Sequence, residues 1–264
     1  MGTAELSRRR PQISACLLCY NDAETIGTMV ERAGRALDEL GAEGEIVVVD
    51  DGSGDGSGRL LRELAGREPR LRVVTHPSNR GYGGAIRSLL SSASGEWVFY
   101  TDGDGQYDPG ELVLLSRSRE PRTDVVQGYK RDRADSLLRR LIGWAWSLGV
   151  RIGFRPGIRD PDCDFRLMRS ASLEAVRLRT DSGAITVELV RKLLDSGARF
   201  QEVEVSHFAR RSGSSQFFRP RRVANTLWDV FFLWVTLVLL PRLRIIPSRR
   251  APQPRGRRGP SGAR

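Results

Sequence analysis

Cysteine, lysine and long apolar runs are all scarce in this 264-residue chain, and each scarcity removes a class of protein. There are three cysteines. Cys16 and Cys19 sit at an odd separation inside one strand-length apolar run, so a strand points them to opposite faces, and Cys163 is alone. That spacing excludes a disulfide framework and a cysteine metal cluster, and it suits a reducing cytoplasm. The apolar run behind the basic N-terminal residues, Ile13 to Cys19, is strand-length and lacks a cleavage-site pattern, which argues against a secretory signal. The apolar stretch Val230 to Leu240 reaches about 17 Å as a helix, against a hydrocarbon core of about 30 Å, too short to span alone. Lysine occurs only at Lys130 and Lys192, so the net charge of +11 is carried by arginine, in part a mark of base composition.

What is present is unevenly placed. From Phe208 to Arg264 there are thirteen arginines against one acid, Asp229, while the rest of the chain is close to neutral. A basic tail suits an anionic membrane surface or nucleic acid. Its neighbourhood favours the membrane. Phe217, Phe218, Trp228 and Trp234 beside Arg219, Arg221 and Arg222 read as an interfacial anchor, the competing reading being a buried C-terminal helix. Beyond Pro247 the chain has too little apolar content to pack and is expected to be disordered.

Length and 39% hydrophobic content allow one large domain plus a tail. Strand candidates are Ile13–Cys19, Glu45–Asp50, Leu71–Thr75, Trp97–Thr101, Asp124–Gly128 and Phe200–Val205, with helical patterns between most of them. Ile26, Val30, Ala33, Leu37 and Leu40 recur at helical spacing, and Asp108-Pro109 offers an N-cap followed by proline. The alternation predicts a doubly wound α/β sheet, mostly parallel and flanked by helices. The organisation expected is an arm at 1–12, a catalytic domain at 13–216, a membrane-interface helical segment at 217–247 and a disordered basic tail at 248–264. Leu137 to Ile152, an apolar Trp-containing helix flanked by arginines, and the loop-rich HFARRSGSSQFF are acceptor-side candidates.

Two acidic clusters, Asp50-Asp51 in VVVDDGS and Asp102-Gly103-Asp104 in VFYTDGDGQYDP, each follow a short apolar run. In an open parallel sheet the strand ends share one rim, so both clusters face one crevice. Carboxylates gathered there call for a hard divalent ion that also bridges phosphates, which points to a nucleotide-diphosphate site. A calcium loop requires Glu at its twelfth position, and counting from Asp102 or Asp51 gives Val113 or Arg62. Turn-forming Asp and Gly alone account for either cluster taken singly. The glycines of NRGYGGA match neither a dinucleotide fingerprint nor a phosphate-binding loop ending in Lys-Ser/Thr.

Taken in order, Cys19-Tyr20-Asn21-Asp22, VVVDDGSGDGS, Asn79 to Ala85, DGDGQYDP, DCDFRLMRS and HFARRSGSSQF resemble glycosyltransferase family 2, of the GT-A fold. The branch most similar is the polyprenyl-phosphate type, dolichyl-phosphate mannosyltransferases and bacterial enzymes that load hexoses onto undecaprenyl phosphate, across roughly Ile13 to Phe218. The resemblance implies that Tyr20 and Asp51 hold the nucleotide base and Asp50 supports that pocket. It implies that Asp102, Asp104 and Gln106 bind Mg2+ or Mn2+, that Gly81, Gly83 and Gly84 let a helix N-terminus approach the donor, and that Arg166 lies near the donor diphosphate and acceptor phosphate with Asp162 or Asp164. Asp164 stands where the family has glycine. His207, Arg210, Gly213 and Ser215 match a segment expected to order over the donor, with Asp104, Arg166 and Arg210 carrying catalysis and Ser215 touching the nucleotide sugar. Glu188 is placed on the acceptor side or on a solvated helix face.

A lipid phosphate has an oxygen already ionised near neutral pH, so attack on the sugar needs no protein base. The expected reaction is inverting, metal-dependent transfer of a hexose from GDP-mannose or UDP-glucose to a polyprenyl phosphate. The enzyme is expected to be cytoplasmic and peripheral on the inner face of the plasma membrane, with room for a membrane partner protein and without nucleic acid. Two alternatives stand beside it: a polysaccharide or other envelope glycan acceptor, and a nonenzymatic basic protein that binds membrane or nucleic acid. The first loses ground because Gln216 to Pro220 lacks the tryptophan of processive relatives, and the second leaves the acidic rim unexplained.

Overall fold

The structure, a computed structural model, describes residues 11–130, 146, 148–210 and 220–243. Ser215, Gly213 and the region beyond Leu243 lie outside the described residues, as does most of the expected helix Leu137 to Ile152.

A continuous apolar run makes a strand that must be covered on both faces. β1 (Ile13–Cys19) is that run, buried at every position, and it takes the centre of the sheet. It pairs in parallel with β2 (Gly44–Asp50) and β4 (Trp97–Asp102), and β2 pairs in parallel with β3 (Leu71–Thr75). The full order is β3-β2-β1-β4-β6-β5-β7, with β5 (Val125–Lys130) and β7 (Phe200–Val205) parallel to each other. Pleating sends Ala15, Leu17 and Cys19 to a core under α1 (Ile26–Glu39) and α4 (Leu112–Ser118). Cys16 and Leu18 go to the opposite core, under α3 (Gly81–Ser92) and α7 (Ile185–Asp195). The two cysteines thus fall on opposite faces, as their spacing predicts. α2 (Ser57–Ala65) follows β2 and seats Leu61 in the first core. Asp108 accepts a hydrogen bond from the Gly110 amide and opens a short 3-10 turn into α4, the expected cap.

One strand has no counterpart in the sequence reading. β6 (Phe165–Arg169) lies between β4 and β5 and runs antiparallel to both. Two arginines in five residues break its apolar run, yet Arg166 is fully buried. Because β6 is reversed, its entry loop, residues 160–164, reaches the rim where the parallel strands end. It leaves into the short α6 (Ser170–Glu174).

The C-terminal helix also differs from expectation. α8 (Pro220–Trp234) continues through a π-helical turn (Val235–Leu239) into α9 (Leu240–Leu243). Thr236 bonds back to the carbonyls of Phe232 and Leu233 beside that turn. The 22 residues Arg222–Leu243 are long and apolar enough to cross a membrane by length and composition, where Val230 to Leu240 alone was too short. The helix is nevertheless partly seated on protein. Leu233 and Val238 form a third cluster with Val150 and Phe154 of α5 (residues 148–154) and with Ala184 and Val187 near the start of α7.

α3 begins against the loop that precedes α7. A Cβ on Gly83 would sit 2.1 Å from the Thr180 carbonyl oxygen, and the Gly83 amide donates to the Asp181 carbonyl. Gly83 therefore serves this crossing, and α3 takes its position from it. Gly83→Ala should lower stability by about 1–3 kcal/mol through overpacking, read as a lower urea midpoint at unchanged slope.

Candidate active site

The rim of the sheet holds a cleft of about 860 Å3. Loops after β1 and β2 are tied together first. Asn21, in the left-handed region at φ 58, donates through its amide to Ser53 and accepts from the Gly54 amide, while the Ala23 amide donates to Asp55. Asp50 accepts from the Ser53 amide and lies against α2, away from the cleft wall, so it supports the loop rather than meeting a ligand. Asp51 does line the cleft. Its carboxylate is held by His76 Nδ1 at 2.6 Å, the Asn79 side-chain amide at 2.8 Å and the Arg80 backbone amide at 2.8 Å. Such a buried carboxylate left without partners costs about 3–5 kcal/mol, which ties the β3–α3 loop to β2. The sequence reading did not single out His76, whose other nitrogen meets Ser88 Oγ at 2.9 Å.

Across the cleft, the turn after β4 is forced tight. A Cβ on Gly103 would meet the Leu18 carbonyl oxygen at 2.5 Å, so only glycine fits between Asp102 and Asp104. Asp102, Asp104, Asp22, Asp162 and Asp164 all line the same cleft, with Tyr20, Gly81, Lys130 and Arg210. The Tyr82 hydroxyl donates to Asp102 at 3.0 Å and the Tyr100 hydroxyl to Asp164 at 2.8 Å. Burial drives the Asp102 carboxyl well above its usual range, and the neighbouring Asp164 and Asp104 add to it. Burial likewise raises Asp164, against the pull of Arg166 and Lys130. Asp22 is pushed up to about 6, chiefly by burial, with Asp104 adding and a hydrogen bond from the Tyr20 amide opposing. Asp162 also rises to about 6, by burial first, with a hydrogen bond from the Trp146 side chain opposing it.

Carboxylates that repel one another at this density are a site for a cation. Arg210 already places its guanidinium on Asp104, showing that this oxygen faces a position where positive charge is stable. Among the described residues no three His, Cys, Asp or Glu side chains converge as a complete ligand set. Asp102 and Asp104 fit a hard divalent ion that draws its remaining oxygens from phosphate and water. Gln106 does not join them. It is absent from the cleft wall, and its amide lies 3.4 Å from His207 Nε2, because the chain after β7 docks there through the Phe208 amide on the Gln106 carbonyl.

The remaining expected residues divide. Tyr20, Asp51, Gly81, Asp102, Asp104 and Arg210 come together, and His207 sits on the acidic loop beside Tyr107 with ring centroids 5.3 Å apart. Gly83 and Gly84 are buried and off the cleft wall, used for packing of α3. Arg166 is likewise behind the wall. Its guanidinium donates to the carbonyls of Pro161 and Cys163 and lies 5.4 Å from the Tyr100 ring, so it braces the 160–164 loop from beneath. Glu188 is a support too. It accepts from the Arg179 and Thr180 amides, the Thr180 hydroxyl and Lys192, and although burial opposes it, these partners hold its carboxyl below the usual range. The sequence missed the polar side of α8, where Arg222, Asn225, Thr226 and Asp229 complete the cleft wall opposite exposed Leu227, Phe231 and Phe232. Its signal was the spacing of 222, 225, 226 and 229, one helical stripe interrupting an apolar segment.

The raised Asp162 carboxyl has a consequence for stability. Its proton affinity in the fold exceeds that of the unfolded chain, so its ionised form destabilises the fold above about pH 6 and the penalty fades as pH falls toward the unfolded value near 4. Asp162→Asn should raise Tm at pH 7.5, and the gain should shrink to nothing by about pH 4, measured by thermal unfolding across pH without donor.

A profile for Glycosyl transferase family 2 matches residues 14–176. Dodecaprenyl-phosphate galacturonate synthase of Rhizobium johnstonii is 29% identical over 227 residues, covering 84% of this chain and 67% of that protein. Undecaprenyl-phosphate 4-deoxy-4-formamido-L-arabinose transferase of Edwardsiella ictaluri is 32% identical over 221 residues, covering 83% and 66%. The chain thus spans about two thirds of the length of these curated relatives. Among solved structures, glucosyl-3-phosphoglycerate synthase of Mycobacterium tuberculosis, in complex with Mn2+, UDP and glucosyl-3-phosphoglycerate, superposes with a TM-score of 0.64 at 19% identity, covering 86% of this chain and 79% of that one. These neighbours have the GT-A fold, as the strand order here does. With its rim carboxylates, its sheet and its sequence in agreement, the chain belongs to glycosyl transferase family 2.

Proposed function

We propose that the protein moves a sugar from a nucleotide-diphosphate donor to a polyprenyl phosphate, with a divalent ion, at the inner face of the plasma membrane. The observation that carries this reading is the shared wall of one cleft: the acidic pair Asp102 and Asp104 on one side, and the polar stripe of α8 on the other, with exposed Leu227, Phe231 and Phe232 behind it. A cleft built for a soluble acceptor has no use for that apolar outer face. The two curated relatives named above are called dodecaprenyl- and undecaprenyl-phosphate enzymes, which supports the acceptor class. The structural neighbour binds UDP with Mn2+, which supports the donor class and the metal.

In this reading Tyr20 and Asp51 face the nucleoside, and Asp102 and Asp104 hold Mg2+ or Mn2+, which supplies neutralising charge to the leaving diphosphate. A divalent ion on Asp104 would take the place the Arg210 guanidinium holds, which would free its forked donors for the phosphates. Lys130, at the end of β5 between Asp160 and the cleft, and Arg222 on α8 meet the acceptor phosphate. The ionised acceptor oxygen attacks the anomeric carbon in line with the departing diphosphate, with inversion, and no side chain has to remove a proton. GDP-mannose and UDP-glucose are the leading donors. Residues 220–243, the described part of the expected segment 217–247, serve as the membrane interface. A membrane protein that receives the product fits the same placement.

The full chain incubated with membranes and labelled GDP-mannose or UDP-glucose should give chloroform-soluble label that mild acid releases, dependent on Mg2+ or Mn2+. Asp104→Asn should lower the rate at least about a hundredfold. Label found only in water-soluble polymer would overturn the acceptor assignment.

A further inference from the structure

Away from the cleft, the described residues enclose a second cavity of about 340 Å3, lined by Arg151, Arg155, Pro156, Gly157, Ile158 and Arg159. We infer that this cavity binds the phosphate of an anionic phospholipid headgroup and so seats the protein on the leaflet at a point separate from the catalytic site.

Local sequence builds the cavity. α5 ends at residue 154, and Arg155 (φ 47) and Gly157 (φ 70) then both take left-handed conformations, which wraps the chain around Pro156. Arg155 is one of two such residues other than glycine among those described. Pro156 and Ile158 are buried and form the floor, while Arg151, Arg155 and Arg159 are exposed and form the rim. The Arg159 guanidinium lies 4.7 Å from the Tyr129 ring centroid, which fixes its plane. The side chains of Arg151 and Arg155 form no hydrogen bond or ion pair among the described residues. The carboxylate in contact here, Glu202, accepts from the Arg159 backbone amide at 2.6 Å. Three guanidiniums around an apolar floor, two of them unpaired, leave positive charge that forked phosphate oxygens match.

The helix that leads into the cavity identifies the source of the phosphate. Trp146, Val150 and Phe154 point inward at helical spacing, toward Leu233 and Val238 of the C-terminal helix. Leu148, Arg151, Ile152 and Arg155 point outward, with Leu148 40% and Ile152 68% exposed. Apolar and arginine side chains alternating on one exposed face are the pattern of a helix lying in the headgroup layer, stems and aliphatic groups down and guanidiniums on lipid phosphate. A soluble phosphate would need the arginines and not the apolar residues between them. α8 likewise leaves Phe231 and Phe232 exposed. The inference requires neither the proposed acceptor nor the proposed donor.

Two measurements on the full chain test it. The first is sedimentation with phosphatidylcholine vesicles, with and without phosphatidylglycerol. Wild type should favour the anionic vesicles, and Arg151→Gln with Arg155→Gln should weaken that binding about thirtyfold, the loss of two arginine contacts. Arg257→Gln with Arg258→Gln removes the same charge from the tail and should cost less. Equal losses in the two double variants would overturn the site in favour of diffuse attraction. The second follows the Gly157 amide resonance of the unaltered protein, titrated with dihexanoyl-phosphatidylglycerol below its micelle threshold and with inorganic phosphate. Saturation by the lipid at lower concentration is expected. Phosphate saturating as readily, or neither ligand shifting Gly157, would overturn the assignment. Because this titration needs no variant, a substitution that unfolds the chain leaves the inference open to refutation.

Discussion

Parallel pairing of β1 with its two neighbours is the constraint on which the site depends. Cys19 stands beside Asp50, and Leu18 beside Asp102, so the chain turns out of β1, β2 and β4 at nearly one level. A slip of one residue in either ladder would turn the carboxylate-bearing strand end to the opposite face. The register is held by apolar burial of β1 on both sides, not by any interaction among the carboxylates themselves, which repel. The sheet is thus the scaffold that keeps unfavourable neighbours together.

That repulsion is distributed. Asp51 is held by His76, the Asn79 side chain and the Arg80 amide, and Glu188 is surrounded by amides and Lys192, so both serve as supports. Asp102 and Asp164 receive a tyrosine hydroxyl each; Asp102 is otherwise close to other acids, and Asp164 is offset in part by Arg166 and Lys130. The contrast separates carboxylates that shape loops from carboxylates with capacity left for a ligand. It also explains why Arg210 lies on Asp104: a cation from the segment after β7 offsets the charge, and the same segment rests on the acidic loop through Phe208 and His207. Loop position and cleft charge are coupled through that one arginine.

The parallel half of the sheet was legible because its strands are mostly apolar runs ended by turn residues, and the acidic clusters were legible because they mark those ends. β6 was not, since a strand that buries an arginine does not look apolar; the carbonyls of Pro161 and Cys163, with the Tyr100 ring, make that burial tolerable. For the same reason Arg166 read as a ligand-binding arginine when it braces a loop. Gly83 and Gly84 read as space for a donor, whereas at Gly83 the space is taken by the Thr180–Asp181 backbone, a contact across nearly a hundred residues that no local pattern encodes, and at Gly84 by the side chain of Arg80. Gln106 shares the alternation of Asp102 and Asp104, but the tertiary docking of residues 207–208 takes its side chain elsewhere. The C-terminal helix was underestimated because a count of consecutive apolar residues stops at Asp229, while a helix tolerates a polar stripe wherever another surface receives it.

That stripe changes the geometry of encounter. Because Arg222, Asn225, Thr226 and Asp229 close the cleft from a helix whose reverse side is aromatic and exposed, one helix joins the reaction chamber to an uncovered apolar face. Under the proposed function, an acceptor embedded in a lipid layer against that face would find the chamber by lateral diffusion in two dimensions, and turnover would follow molecules per unit area rather than the volume of surrounding water.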